Sequence, residues 1–271
     1  MLFADPLLAR RIEGAETAAA LEVVETSRHT DPDGGAAALA VAGGCAVFLA
    51  PSMPVNRAVG LGMGRAVADS EIAAVEAFYR DRGLDPAIDL CPLADRSLVD
   101  ALGPRGYAVG RVLNTHVRAV APAEPAPQVP GVTVAESTPA DAESWASTVA
   151  RGFFGRDALP ADLPALRLAR LTMQRPSVRG LLAYVDGTPA GAVALAVRDG
   201  LGLVFSASTR EEFRNRGVNR ALLGAALAAA SAAGCDIACV ATAPGGTSER
   251  TVRALGFRHA YTRMLMVREW S

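Results

Sequence analysis

The sequence predicts an α+β protein of three-layer α/β architecture, built from two domains that each hold a mixed, mostly antiparallel sheet flanked by helices. The chain has 271 residues, 51% hydrophobic and 20% charged, which is enough for two cored domains and excludes wholesale disorder. A proline-rich segment divides the chain near its middle, and the same order of helices and strands is predicted on both sides.

The dividing segment is a linker over residues 121–131. It carries four prolines, Pro122, Pro125, Pro127 and Pro130. This composition favours an extended, semi-rigid chain and disfavours a helix or a central strand. We therefore expect a first domain over 1–120 and a second over 132–271. Two such domains in one chain can pair as two subunits would, so the sequence favours a monomer and leaves a dimer open.

The second half is predicted from hydrophobic periodicity and turn residues. Its elements are helices over 138–152 and 163–174, a hairpin over 181–197, a strand over 201–209, a helix over 219–233, a strand over 235–241, a helix over 248–255 and a strand pair over 257–267. The hairpin turns at Asp186-Gly187, a dipeptide typical of two-residue hairpin loops.

The first half repeats this order. Its elements are a helix over 6–28, a hairpin over 37–50 around Gly43-Gly44, a strand over 55–63, a helix over 70–82, a strand over 87–90, a helix over 97–102 and a closing strand over 109–120. Gly106-Tyr107 stands at the same place in this order as Gly256-Phe257. The sequence thus indicates a tandem duplication that has diverged.

Composition excludes several functional classes. Lys+Arg 27 against Asp+Glu 28 gives no sign of a nucleic-acid or anionic-membrane partner, and no residue is a lysine. The N-terminal charges interrupt any signal-peptide core, and the uncharged stretch 34–55 contains hairpin glycines and prolines, so we expect a cytoplasmic protein without a membrane partner. The cysteines lack metal-ligand spacing, which predicts buried thiols and no metal site: Cys45, Cys91, Cys235 and Cys239.

The chemistry is concentrated in residues 205–223, FSASTREEFRNRGVNRALL. A strand ends here, a basic loop containing Gly217 follows, and an apolar helix begins near Asn219. Free amides at a helix N-terminus, with arginines beside them, suit a pyrophosphate. The alternative is a solvated basic turn with one glycine. A Walker phosphate loop is excluded because it needs lysine, and GLGMG at 60–64 lacks the third glycine and the acidic partner of a dinucleotide fingerprint.

Two motifs resemble the GNAT superfamily of acyl-CoA-dependent N-acyltransferases. The R-x-x-G at Arg214–Gly217 resembles the family's acyl-CoA-binding motif, with Asn219 where a small residue is usual. SERTVRALGF at 248–257 resembles its second signature, and HAYTR at 259–263 is similar to many members. The order of elements fits across the second half, and the first half fits without the loop residues.

The resemblance implies an acetyl-CoA site in the second half. It assigns pairing with the pantetheine arm to strand residues and the pyrophosphate to the loop, with contacts at Ala207, Ser208, Thr209, Arg214, Asn215, Arg216, Gly217, Val218, Asn219, Arg220, Ser248 and Thr251. Two departures bear on this. Val252 stands where a tyrosine often serves as general acid, and Thr251 stands where an asparagine is common.

Direct attack of an acceptor amine on the thioester needs no nucleophilic side chain. Glu211, Glu212 and Tyr261 are the candidates for proton transfer, with solvated or packed side chains as the alternative. His259 and His116 are expected to be structural. An acceptor pocket is expected around Trp145, Phe153, Phe154 and Tyr184, or else core aromatics under a loop, and residues 151–164 resemble a shaped lid.

Three functions remain open at this point. The first is an N-acetyltransferase that acts on a small amine or a peptide N-terminus, with a first half that is structural and binds no acyl-CoA. The second is a non-catalytic acyl-CoA-binding or regulatory module of the same fold. The third is an unrelated nucleotide-phosphate binder.

Overall fold

The computed structural model describes residues 4–155 and 159–269. The chain divides into two compact units. Unit 1 comprises Met1–Thr115, Thr242–Pro244 and His259–Ser271, and unit 2 comprises His116–Ala241 and Gly245–Arg258. The C-terminal strand, assigned from the sequence to the second domain, therefore packs in unit 1.

The helices and strands follow one another in this order: α1 (Pro6–Thr30), β1 (Ala37–Val41), β2 (Gly44–Phe48), β3 (Ala58–Val59), α2 (Asp69–Arg80), β4 (Ala87–Leu90), α3 (Arg96–Leu102), β5 (Ala108–Ala119), β6 (Thr133–Glu136), α4 (Ala142–Phe154), α5 (Pro164–Thr172), β7 (Val178–Val185), β8 (Thr188–Arg198), β9 (Leu201–Thr209), α6 (Val218–Ala232), β10 (Ile237–Thr242), α7 (Thr247–Ala254) and β11 (Arg258–Val267).

The sheet of unit 1 runs in the order β1-β2-β3-β4-β11. The β1–β2, β2–β3 and β4–β11 pairs are antiparallel, and β3–β4 is parallel. Helices α2 and α3 bury Ile72, Val75 and Leu98 against one face of these strands. On α1, the backbone carbonyl of Thr17 accepts from the buried thiol of Cys45 on β2.

The sheet of unit 2 runs in the order β10-β9-β8-β7-β6. Three of its pairs are antiparallel, and β9–β10 is parallel. On one face, Trp145 and Leu166 of α4 and α5 pack on Leu182 of β7. On the other, Leu222 of α6 and Val252 of α7 pack in a separate core. Unit 2 thus has three layers, with the sheet between two helical layers.

The two units share one plan, because β1–β4 and β7–β10 have the same order and the same strand directions. The turn after the last helix of each unit is also the same. Gly106 and Gly256 are left-handed, with φ of 78° and 84°. The aromatic residue after each one donates its amide five residues back, Tyr107 to Leu102 O and Phe257 to Val252 O. The predicted fold class is confirmed.

Four local predictions need correction. β3 holds two residues and not the predicted 55–63, because left-handed Gly60 and Gly62 end the extended chain. The first hairpin turns at Ala42-Gly43, one residue before the predicted pair. The final strand pair is one strand, β11. β6 was not predicted, because it is a short edge strand with three of its four residues exposed.

Two predictions drawn from composition can be compared directly. All four cysteines are buried, and no disulfide joins any two of them. Within residues 4–155 and 159–269, no helix is both long and apolar enough to cross a membrane.

Candidate functional site

The basic loop of unit 2 joins β9 to α6. A short 3-10 turn at Glu211–Phe213 follows the strand, and the chain then passes through two left-handed residues, Asn215 and Gly217, with φ of 62° and 79°. Gly217 is the N-cap of α6, and the Ala221 amide makes the first helical hydrogen bond, 3.0 Å to Gly217 O. The amides of the first turn, from Gly217 to Arg220, therefore have no acceptor within the helix and stand at the positive end of its dipole.

The end of β9 carries a bulge and an open edge. Phe205 lies opposite Ala194 while Ser208 lies opposite Ala192, so two residues of β9 face one of β8, and Ser206 has a φ of 54°. The parallel ladder between β9 and β10 includes four residues of β9, from Leu201 to Val204. Beyond that point no strand of the described residues pairs with the edge of β9 that faces β10. An extended ligand arm could form backbone hydrogen bonds along such an edge.

Three buried polar atoms occur on these elements without a hydrogen-bond partner in the described part of the chain: Ser208 Oγ, Thr209 Oγ1 and Asn219 Oδ1. Ser208 is only 6% exposed. Unpaired buried polar atoms are uncommon in folded proteins, and at a site they are available to a ligand. We take them as the polar groups of this site.

Glycines bring these elements close together. A Cβ at Gly191 of β8 would lie 2.6 Å from Ser208 O and 2.8 Å from Val218 Cγ1, so the start of α6 lies against the end of β9. A Cβ at Gly152 of α4 would lie 2.7 Å from Ser208 Oγ. The end of β9 is therefore enclosed by α6 on one face and by α4 on the other.

The loop arginines are exposed and partly engaged. Arg214 Nη2 donates to Gly152 O at 3.4 Å, and its Nη1 lies 4.0 Å from Glu211. Arg216 Nη2 lies 3.6 Å from an oxygen of Asp186, whose side chain is 86% exposed. Arg220 is exposed on the first turn of α6. These guanidinium groups can turn towards an anion, because surface ion pairs of this kind are weak.

The acidic candidates for proton transfer lie in the 3-10 turn. Glu211 and Glu212 are both exposed, and Glu212 lies 2.5 Å from Arg210 Nη2. Tyr261 lies in unit 1 instead, where it is buried and its hydroxyl donates to Glu13 at 2.7 Å. Burial and the carboxyl of Glu13 raise the pKa of Tyr261 above its ordinary value. Its hydroxyl therefore forms part of a buried cluster in unit 1.

His259 and His116 each contact a polar side chain of their own unit. His259 Nε2 lies 3.1 Å from Thr262 Oγ1 on the same strand. His116 is fully buried, with Nε2 3.9 Å from Glu249. These positions are consistent with the structural roles expected for the two residues.

Helix α7 carries the second signature. Ser248 is exposed, and Thr251 Oγ1 donates back to Thr247 O at 3.2 Å. Val252 is 1% exposed and belongs to the core below α6. A side chain at position 252 thus points into the protein interior.

The four aromatic candidates for the acceptor pocket separate into two groups. Trp145 is fully buried and donates Nε1 to Val193 O at 3.2 Å, so it is a core residue, and Tyr184 is half-buried beside the same core. Phe153 and Phe154, at the end of α4, are 59% and 48% exposed. The predicted lid includes residues 156–158, which lie outside the described residues.

One contact of the loop was not predicted. The Cβ position of Gly217 lies 2.7 Å from Val129 Cγ1, so the linker touches the start of α6. The sequence contains a signal for it, since Gly217, Gly224 and Ser231 recur every seven residues and place small side chains on one face of α6. The described residues include no group of three His, Cys, Asp or Glu side chains that could hold a metal ion.

The comparisons with known proteins agree with this geometry. Residues 144–257 match the model of the acetyltransferase (GNAT) family. These residues form a GNAT domain. No curated protein matches the sequence.

Solved structures show the same fold over both units. A GCN5-related N-acetyltransferase from Kribbella flavida is 18% identical with a TM-score of 0.71, and the alignment covers 97% of this chain and 96% of that one. A tandem GNAT protein from the clavulanic acid biosynthesis pathway is 16% identical with a TM-score of 0.63, over 90% and 86% of the two chains. At these identities the likeness shows the fold alone. The chain has a tandem GNAT fold.

The loop before α2 is the counterpart in unit 1 of the loop before α6 in unit 2. There the Glu71 carboxylate accepts from the amides of Ala42 at 3.0 Å and Ala68 at 2.9 Å, and from Arg65 at 2.5 Å. These hydrogen bonds lower the pKa of Glu71 to about 2, with the Arg65 contact as the largest cause. An internal carboxylate thus lies at the N-terminus of α2.

Proposed function

We propose that the protein is an N-acetyltransferase that transfers an acetyl group from acetyl-CoA to an amine, and that unit 2 carries its site. The observation that carries the proposal is the loop before α6. Left-handed Asn215 and Gly217 lead the chain into α6, and the first-turn amides of this helix have no acceptor within it. Arg214, Arg216 and Arg220 are adjacent to them in the chain. This arrangement suits the pyrophosphate of CoA.

The unpaired edge of β9 supports the placement of the pantetheine arm. The amide groups of the pantetheine arm could form hydrogen bonds with the β9 backbone beyond Val204. This pairing would lead the thioester towards Ser208 and Thr209. The acceptor amine would then attack the thioester carbon while a nearby base or a water relay removes its proton. Glu211 and Glu212 are the acidic groups of this loop, and we propose that one of them assists that step.

We propose that the acceptor enters past Phe153 and Phe154. Their exposed rings at the end of α4 are two residues or fewer from Gly152, which touches Ser208. A small amine or a peptide N-terminus would both fit this description. Trp145 is not included, because it has no exposed surface.

A second function is favoured by one observation. Buried Val252 occupies the position where GNAT enzymes often carry a tyrosine acid, and Thr251 is bonded to its own helix. A module that binds acyl-CoA without turnover would tolerate both features.

The full chain tests both functions. Calorimetry with CoA should show binding that weakens with salt and is reduced at least tenfold by Gly217→Ala. Thiol release from acetyl-CoA should then rise above background with at least one member of a panel of amines and peptides. Binding without thiol release for any acceptor would support the second function, and no binding of CoA would exclude both.

A further inference from the structure

The linker, residues 121–131, lies along α6 as a strap. Three contacts hold the linker against the helix. Ser231, near the C-terminal end of the helix, donates its hydroxyl to Ala121 O at 2.8 Å and accepts from the Glu124 amide at 3.2 Å. In the middle, the ring of Pro127 lies over Gly224. At the N-terminal end, Val129 lies over Gly217. The linker therefore runs antiparallel to the helix.

The surface of α6 under the linker leaves room for the linker only because its residues are small. A Cβ at Gly224 would lie 2.1 Å from Pro127 Cδ and 2.2 Å from its Cγ, so no larger residue fits without displacing the linker. From Gly217 to Ser231 the helix rises about 21 Å at 1.5 Å per residue. The linker begins over Ser231 with a turn, where Ala123 has a φ of 55°, and then follows the helix to Val129. Prolines restrict the conformations of this segment, so that ordering it along the helix costs little entropy.

The strap ends on the residue that shapes the anion loop. The side of Gly217 where a Cβ would stand is filled by Val129 Cγ1, so that side is not where an anion approaches. A side chain at position 217 would therefore meet the linker first.

We propose that the linker is part of the cofactor site, and that Val129 is a positioning residue that holds Gly217 and the first-turn amides of α6 in the anion-binding conformation. The inference rests on the proposed function, since it assigns a role towards the same pyrophosphate. It adds that the affinity of unit 2 for CoA depends on a segment that acts through Gly217 and not by contact with the ligand. The linker, which lies within unit 2, then supports the loop from the side that an anion does not approach.

The test uses the full chain and calorimetry with CoA. Val129→Ala should weaken binding five- to tenfold and raise KM for acetyl-CoA more than it changes kcat. Val129→Ile, which keeps the branched side chain, should bind CoA as tightly as the wild type. Gly224→Ala should weaken binding to a similar extent, although position 224 lies about 10 Å along the helix from the loop. Pro127→Ala should rescue Gly224→Ala, because alanine lacks the Cγ and Cδ atoms that would clash.

Gly14→Ala is the matched control for a glycine replaced within a helix. Gly14 lies in α1 with no atom within 4 Å of its Cβ position, and its replacement should leave CoA binding unchanged. A second arm is structural: hydrogen exchange should show faster exchange at the Glu124 amide in Gly224→Ala than in the wild type.

The outcomes are separable. If the wild type binds no CoA, the proposed function fails and this inference falls with it. If the wild type binds CoA and Gly224→Ala loosens the linker without weakening binding, the strap is structural only and the inference is overturned. Weaker binding that Pro127→Ala rescues supports the strap, since general damage to the helix would not be repaired by a second substitution in the linker.

Discussion

Ser208 is the residue at the site whose environment is least explained by stability. It is 6% exposed and its hydroxyl has no partner in the described part of the chain. A buried hydroxyl without a hydrogen bond is a cost to folding, since water has been lost and nothing replaces it. A ligand that forms a hydrogen bond with the Ser208 hydroxyl would remove this cost.

Replacement of Ser208 should separate stability from activity. We expect Ser208→Ala to leave the free energy of unfolding unchanged or to raise it by up to about 1 kcal/mol, because no internal hydrogen bond is lost. The same change should lower kcat/KM for acetyl transfer about tenfold. Urea denaturation and a thiol-release assay measure the two quantities. Ser231→Ala is the control, since it breaks two hydrogen bonds and should destabilise the protein.

Under the proposed function, we expect Asp186 to compete with CoA for Arg216. Its carboxylate lies 3.6 Å from the guanidinium, and both groups are largely solvated, so the pair is weak. Asp186→Asn removes the negative charge and keeps a residue that tolerates a φ of 50°. CoA binding, measured by calorimetry at low salt, should become about two- to threefold tighter.

Asp199→Asn is the matched control for this change. Asp199 has a φ of 45° in the turn at the opposite end of β8, and its replacement should not alter CoA affinity. Equal effects of the two substitutions would mean that net charge, and not the contact with Arg216, is responsible.

At the scale of single elements, the Glu71 carboxylate supplies a negative charge at the N-terminal end of α2. Glu71→Gln should lower the free energy of unfolding by about 1 kcal/mol at pH 7, because two amides lose a charged acceptor. The folded-state pKa is lowered to about 2, so this contribution is complete above the ordinary value near 4.5 and is lost as the pH falls towards 2.

Urea denaturation of both proteins at several pH values checks this expectation. The difference between wild type and Glu71→Gln should be largest near neutral pH and should vanish in acid. Asp100→Asn is the control, since its pair with Arg96 is exposed and should contribute little. A constant difference at all pH values would contradict the assignment.

Elements with strong periodicity were predictable, and those defined by distant partners were not. β4 and β9 match their predicted bounds because apolar runs between turn residues define them locally. The position of β11 depends on pairing with β4, where Leu265 faces Asp89. No local pattern encodes a partner so far away in the chain.

For the site as well, features encoded in a short segment could be predicted and those that depend on distant contacts could not. The glycine and arginines of the loop were visible because a phosphate loop needs those residue types in a short segment. The direction of a side chain was not visible, so Trp145 and exposed Phe153 looked alike in sequence. The contact of Val129 with Gly217 was also hidden, since it requires knowing which face of α6 the linker covers.

At the scale of the whole molecule, unit 1 is completed by the last strand of the chain. Arg263 of β11 is 4% exposed and donates to Glu13, on α1, at 2.8 Å, together with Tyr261. Burial raises the pKa of Glu13, and the cation and the hydroxyl oppose that shift. Residues about 250 positions apart thus share one buried cluster.

Breaking this cluster should destabilise the protein severely. Arg263→Ala should lower the free energy of unfolding by about 3–5 kcal/mol, because Glu13 is left buried without its cation. The deficit should shrink as the pH is lowered, since the carboxyl can then take up a proton. Adding Glu13→Gln should restore part of the loss. Urea denaturation measures all three variants, and a small loss in Arg263→Ala would show that water reaches Glu13.

The duplication leaves one question for the whole chain, which is how many CoA molecules it binds. Both units have a helix N-terminus after a glycine-containing loop, but in unit 1 the Glu71 carboxylate already accepts from the Ala68 amide at the N-cap of α2 and from the Ala42 amide of the first hairpin. A second anion would be repelled by that charge and would find the Ala68 amide occupied. We therefore expect calorimetry to give one CoA per chain, with an affinity that falls at least tenfold in Gly217→Ala and is unchanged in Arg65→Ala. Two equivalent sites, or a site that survives Gly217→Ala at full affinity, would contradict the assignment of binding to unit 2.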